Sequence, residues 1–159
     1  MPSRSSSKED YWPTMKIYTI GFTQKSASQF FETLKLAKVS RLVDVRLNNS
    51  SQLCAFAKKN DLAYFMREIC HADYLHLPLL APTQEMLDQY KKQGGTWATY
   101  AGRFLDLMKE RRIEDTLDPA IFDAPSVLLC SEHMAEHCHR TLVLQYLQKH
   151  WSNLEIIHL

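Results

Sequence analysis

From about residue 15 onward, short β-branched or aromatic runs alternate with stretches whose apolar positions return at helical spacing. Lys16-Ile-Tyr-Thr-Ile20 predicts a strand that ends at Gly21. Phe30, Phe31, Leu34, Leu36 and Ala37 then recur as one helix face behind Ser26 or Ser28, either of which can cap it. Arg41-Leu-Val-Asp-Val45 predicts a second strand that ends at Asp44 and Arg46 and runs into the polar loop Asn48–Ser51. Leu62, Phe65, Met66 and Ile69 predict a helix over Asp61–Cys70, and Tyr74-Leu-His-Leu77 a third strand stopped by Pro78. Thr83 caps a helix that runs to about Lys92 and is broken by Gly94-Gly95. Trp97, Tyr100, Phe104, Leu107 and Met108 share one side of a long helix over Trp97–Arg112. Ser126–Cys130 is the fourth expected strand, followed by a helix over about Glu136–Lys149 and a fifth strand, Leu154–His158.

Strands that alternate with helices predict an α/β fold: a single domain with a mostly parallel five-stranded sheet and helices on both faces. Its expected extent is residues 15–159, behind a flexible polar tail over residues 1–14 that Tyr11 and Trp12 pin at its end. Such sheets bind ligands just beyond the carboxyl ends of their strands. That rule gathers Gly21-Phe22-Thr23, Asp44-Val45-Arg46, Pro78 and the Cys130 segment on one rim. Periodicity leaves the strand order open.

The composition suits this picture. The 159 residues fit one domain, and 45% hydrophobic against 23% charged residues supports a sizeable core. Nineteen Lys and Arg face 18 Asp and Glu, so a formal charge of +1 gives no global pull towards nucleic acid or an anionic membrane. The opening residues lack the apolar stretch of a secretory signal, and no apolar run reaches the roughly 20 residues that span a bilayer. The expected location is cytoplasmic. In that reducing setting Cys54, Cys70, Cys130 and Cys138 are expected as free thiols.

The densest reactive stretch is Cys130-Ser-Glu-His-Met-Ala-Glu-His-Cys-His-Arg140. A cysteine in the first turn of a helix feels the positive end of the helix dipole, and a neighbouring His139 or Arg140 lowers its pKa further. The open N–H groups of that turn, with Arg140, also suit an anion such as phosphate. The structural alternatives are plain: Cys130 and Cys138 as small core residues, and Arg140 as a salt-bridge residue. A rhodanese- or tyrosine-phosphatase-type loop needs Cys and Arg around one short glycine-bearing turn. Here Cys130 and Arg140 are ten positions apart, Cys138 and Arg140 two, with no glycine between, which argues against that mechanism. His133-Met-Ala-Glu-His137 matches the H-x-x-E-H zinc signature but falls in a connection rather than a stable helix, so it reads as accidental. A zinc or iron–sulfur site on Cys130, Cys138 and a histidine lacks the paired C-x-x-C knuckle; no metal ligand is assigned and the cofactor stays open.

Asp44 and Arg46 alternate, so they face one side of the sheet, where the expected roles of the carboxylate are to orient a histidine, act as a base, hydrogen-bond a sugar hydroxyl, or form a rim salt bridge with Arg46 or Arg140. His76 and His158 read as satisfied strand histidines, and Trp97, Tyr100 and Phe104 as core rather than a stacking platform.

Tyr18-Thr-Ile-Gly-Phe-Thr23, Val43-Asp-Val-Arg-Leu-Asn-Asn49, Tyr74-Leu-His-Leu-Pro78, Cys130-Ser-Glu132 and Cys138-His-Arg140 occur in the order seen in the family called domain of unknown function 488. The chain resembles that family from about Lys16 to Leu159, in the subgroup with Phe22 and Thr23 where many relatives carry His and Ser. The resemblance implies no firm activity, and it attaches no motif to His133 or His137. Its matched polar positions give the candidate site. Cys138 is the expected nucleophile, with His139, Glu132 and Asp44 moving protons. Arg46, Arg140, Asn48, Asn49 and Cys130 form the expected substrate- or anion-binding set. Two function classes follow. One is a small enzyme acting on an anionic, phosphate- or nucleotide-like substrate; the other is a non-catalytic module that binds a ligand, metal or nucleic acid. Duplex DNA is disfavoured by charge, and no membrane partner or oligomeric state is implied.

Overall fold

A computed structural model describes residues 14–49, 55–132 and 134–159. Most of the expected tail, Ser50 and Ser51 of the polar loop, Cys54 and His133 therefore lie outside the described residues. The strands are β1 (Met15–Gly21), β2 (Arg41–Asp44), β3 (Asp73–His76), β4 (Ser126–Cys130) and β5 (Leu154–His158). The helices are α1 (Ala27–Leu36), α2 (Lys59–Cys70), α3 (Gln84–Lys91), α4 (Trp97–Glu110), the single turn α5 (Ile113–Thr116) and α6 (His139–His150). No described helix is long and apolar enough to cross a membrane.

The five strands form one all-parallel sheet in the order β3-β2-β4-β1-β5, as expected of an α/β domain. Successive strand residues point to opposite faces, and the core divides accordingly. Val127 and Leu129 of β4 pack with Phe30, Phe31 and Leu34 of α1 and Leu62 and Met66 of α2. Leu128 and Cys130 belong to the other layer, with Phe104 and Met108 of α4 and Val143, Leu144 and Leu147 of α6. After β1 and β2 the chain thus leaves onto one face, while after β4, which lies between them, it leaves onto the other. That reversal opens a crevice at the end of β4, where open α/β sheets bind ligands.

Local signals set most element ends. Ser26 caps α1 in a capping box with Gln29, and Thr83 and Thr96 cap α3 and α4 through their hydroxyls. The start of α6 differs from expectation. The helix begins at His139 rather than near Glu136, because Cys138 is its extended N-cap residue at φ −136° and ψ 138°. Cys138 therefore precedes the first turn instead of lying within it.

Candidate functional site

The site is built where β4 stops. Cys130 pairs in register with Gly21 of β1, and the chain then turns so tightly that the Glu132 carbonyl oxygen lies 1.6 Å from where a Cβ on Gly21 would stand. Only glycine admits this approach. Thr23 fastens the same turn, its amide and hydroxyl both donating to the Ser131 carbonyl, at 3.2 and 2.7 Å.

The turn returns the chain to α6, whose first residue reaches back across the rim. His139 Nε2–H donates to the Val45 carbonyl oxygen at 2.8 Å, just beyond β2. A carbonyl only accepts, so the proton on Nε2 is fixed, and Nδ1 faces Cys130 Sγ at 3.6 Å. Cys130, Cys138 and His139 are 4%, 1% and 6% exposed, and their ligand atoms all lie within 4.8 Å of one another. Among the described residues, this is the group of three such donors able to hold a metal ion.

The two sulfurs are not equivalent. A hydrogen bond from Cys138 favours a thiolate on Cys130; burial opposes it, but the charge and hydrogen bond of His139 and the Glu132 backbone help hold the Cys130 thiol well below its ordinary range. Burial and the neighbouring Cys130 push the Cys138 thiol up. Burial disfavours charge on His139, yet the adjoining Cys130 outweighs it and raises the imidazole. These directions favour charge on Cys130 and His139 over charge on Cys138.

At the end of β2 lies a second buried cluster. Arg46 clamps Asp44 with Nε–H to Oδ1 and Nη2–H to Oδ2, both 2.8 Å, and Nη2 also donates to the Ala57 carbonyl. The Tyr74 hydroxyl donates to Asp44 Oδ2, and Asn49 Nδ2 donates to Tyr74. The Arg46 guanidinium lies 5.1 Å from the centre of the Phe22 ring. Burial alone would weaken the arginine's charge, but Asp44 more than offsets it and the pKa moves up.

Both clusters border one cleft of about 250 Å³. Arg46, Asn48, Cys130, Glu132, Cys138 and His139 line it, and Tyr90 and Trp97 add aromatic surface. The Lys91 ammonium pairs with Glu132 at 2.5 Å at the mouth.

The sequence profile described as Domain of unknown function DUF488 matches residues 26–147, more than three-quarters of the chain. The chain belongs to the DUF488 family. The matched segment contains all nine candidate site residues, although it is shorter than the Lys16–Leu159 span of the resemblance. Neither curated proteins nor solved structures give a match.

In this DUF488 chain six of the nine candidates border the cleft: Arg46, Asn48, Cys130, Glu132, Cys138 and His139. Asp44 and Asn49 stand behind Arg46 and Tyr74. Arg140 does not line this cleft. Its Nη1 donates to the Glu132 carbonyl at 2.6 Å, and its side chain borders a separate hollow with Lys25 and His158. Successive helical residues point about 100° apart, so His139 and Arg140 do not serve one cleft. Of the other expectations, His76 donates to the Arg46 carbonyl, His137 stacks on Trp97 with centroids 5.0 Å apart, and Phe104 is core. Trp97 and Tyr100 both pack in the core layer and line the cleft. Sequence reasoning passed over Tyr74, Lys91 and the Val45 carbonyl. A strand pattern does not show where a phenol ends, and a backbone acceptor leaves no trace in residue identity.

Proposed function

We propose that this DUF488 chain is a small enzyme that uses Cys130 as nucleophile and His139 as its proton-handling partner on a small anionic substrate. The observation that carries this reading is the Cys130–His139 contact, with His139 Nε2–H tied to the Val45 carbonyl and Nδ1 turned to the sulfur. A nucleophile, a base within reach and a third group orienting that base form the arrangement needed for thiol catalysis. Cys130 attacks an electrophilic centre of the substrate, and the Nδ1 proton of His139 passes to the leaving group. Cys138 acts as a hydrogen-bond donor to the attacking sulfur. This differs from the sequence expectation, which gave the nucleophile's part to Cys138 and a binding part to Cys130.

The cleft supports the substrate class. It falls below the usual range of about 300–1,000 Å³ for drug-sized pockets, so it suits a small metabolite or mononucleotide. Tyr90 and Trp97 offer a face to a flat ring, while Arg46 and Lys91 bring positive charge, each already balanced by a carboxylate. Asp44 positions Arg46, and Glu132 positions Lys91.

The test is site-resolved alkylation of chelator-treated protein with iodoacetate near neutral pH, read by mass spectrometry. Cys130 is expected to react at least tenfold faster than Cys70, and AMP is expected to slow it. A Cys130 that reacts no faster than Cys70 overturns the nucleophile reading; reactivity untouched by AMP overturns the substrate class.

A further inference from the structure

The sequence lacks a metal knuckle, but the fold brings three thiophilic donors together from the end of β4, the N-cap of α6 and its first residue. We infer that Cys130, Cys138 and His139 form a binding site for one divalent cation of the zinc type, with the fourth coordination position open to the cleft.

The Cys130–His139 edge fits tetrahedral zinc. Zinc bonds of about 2.3 Å to sulfur and about 2.05 Å to nitrogen, held at the tetrahedral angle, place those two atoms about 3.6 Å apart. Cys130 Sγ and His139 Nδ1 are 3.6 Å apart, and the Cys138 sulfur completes a triangle whose edges do not exceed 4.8 Å. The histidine presents Nδ1 while its Nε2–H is held by a backbone carbonyl, the outer support that metal-bound histidines use to fix tautomer and ring orientation. Two thiolates, a neutral imidazole and a divalent ion sum to zero charge, which suits a pocket this buried. A set of two sulfurs and one nitrogen selects zinc-like ions over magnesium or calcium, which take oxygen ligands. All three donors border the cleft, so a water or substrate atom can supply the fourth ligand. Binding releases protons, since both sulfurs must enter as thiolates.

The inference stands apart from the nucleophile reading. A sulfur that holds a cation does not attack a substrate, so the two describe alternative states of one cluster.

The experiment titrates untagged, chelator-treated, reduced protein with Co²⁺ alone, then displaces it with Zn²⁺. One equivalent is expected to give a thiolate-to-cobalt charge-transfer band and intense tetrahedral ligand-field bands, which Zn²⁺ abolishes. Zn²⁺ is also expected to shield Cys130 and Cys138 together from alkylation while leaving Cys70 reactive. Cys138→Ser is expected to weaken Co²⁺ binding at least tenfold, whereas Cys70→Ser leaves it unchanged. Should Cys138→Ser fold poorly, the shielding pattern in the unmutated protein decides alone. Absence of tetrahedral bands, bands that persist in Cys138→Ser, or shielding that omits either sulfur overturns the inference. Fast Cys130 alkylation in the metal-free protein would leave the nucleophile reading standing in that event.

Discussion

Two buried polar clusters occupy the same rim, one at the end of β2 and one at the end of β4, and they are finished differently. At β2 the charged groups are matched inside the protein: Asp44 accepts from the Arg46 side chain on both oxygens and from the Arg46 amide, and Tyr74 adds a fourth hydrogen bond. At β4 the donors are soft, close together and buried, with two sulfurs and an imidazole nitrogen facing one another where the cleft is lined by their residues. A self-satisfied ion pair braces a wall. A cluster with unused coordinating and nucleophilic capacity is where chemistry can occur.

If the β2 cluster is a brace, breaking it costs stability first. Asp44→Ala strands the buried Arg46 guanidinium and is expected to destabilise the fold by about 3–5 kcal/mol, seen as a large drop in the urea midpoint. A change within about 0.5 kcal/mol would mean the pair is solvated and not a brace. Gly21→Ala is expected to cost about 1–3 kcal/mol, because its Cβ displaces the Glu132 carbonyl and with it the turn that carries Cys130 towards Cys138. It should also slow Cys130 alkylation, linking strain to the site. Unchanged stability and reactivity would show that the close approach is not needed. Tyr74→Phe removes one hydrogen bond to a charged carboxylate and is expected to cost about 1.5 kcal/mol with Cys130 reactivity retained. A loss of reactivity there would show the two clusters to be coupled.

Ionisation sharpens the contrast within the thiols themselves. Burial pushes the Cys70 thiol up, so its alkylation rate should climb only as pH passes above the ordinary value of about 8.5. The Cys130 thiol is held down, so its reactivity should already be present at neutral pH and fall away only in acid. The sign carries over to stability. A thiol whose folded pKa lies below its unfolded value contributes stability that is full above the unfolded pKa and is lost as pH falls through the folded one. The margin of metal-free protein over Cys130→Ser should therefore shrink as pH falls from about 8.5 towards the lowered folded value. A margin independent of pH would contradict the ionised sulfur.

Much of the fold was legible because its signals are local. Short apolar or aromatic runs marked all five strands, and Ser26 and Thr83 cap α1 and α3 as their positions predict, while the Thr96 cap of α4 went unread. The strand order was not legible, since alternation shows which face a residue takes and not which strand lies beside it. The sequence places the start of α6 at about Glu136, whereas Cys138 is extended and the helix waits for His139. The site was legible as a neighbourhood, through the nearness of Cys130, Cys138 and His139 in sequence. The division of labour proposed for it was not. The hydrogen bond from Cys138 and the nearby His139 favour charge on Cys130, contacts that sequence order does not show, and Arg140 turns away because it follows His139 on a helix.

The most direct measurement is an ultraviolet titration of thiolate absorbance in the reduced, metal-free protein beside Cys130→Ser. The account predicts one thiolate already present at neutral pH that is lost on acidification and missing from Cys130→Ser. Thiolate absorbance that rises only around pH 8.5 and above, with the same curve in both proteins, would contradict it.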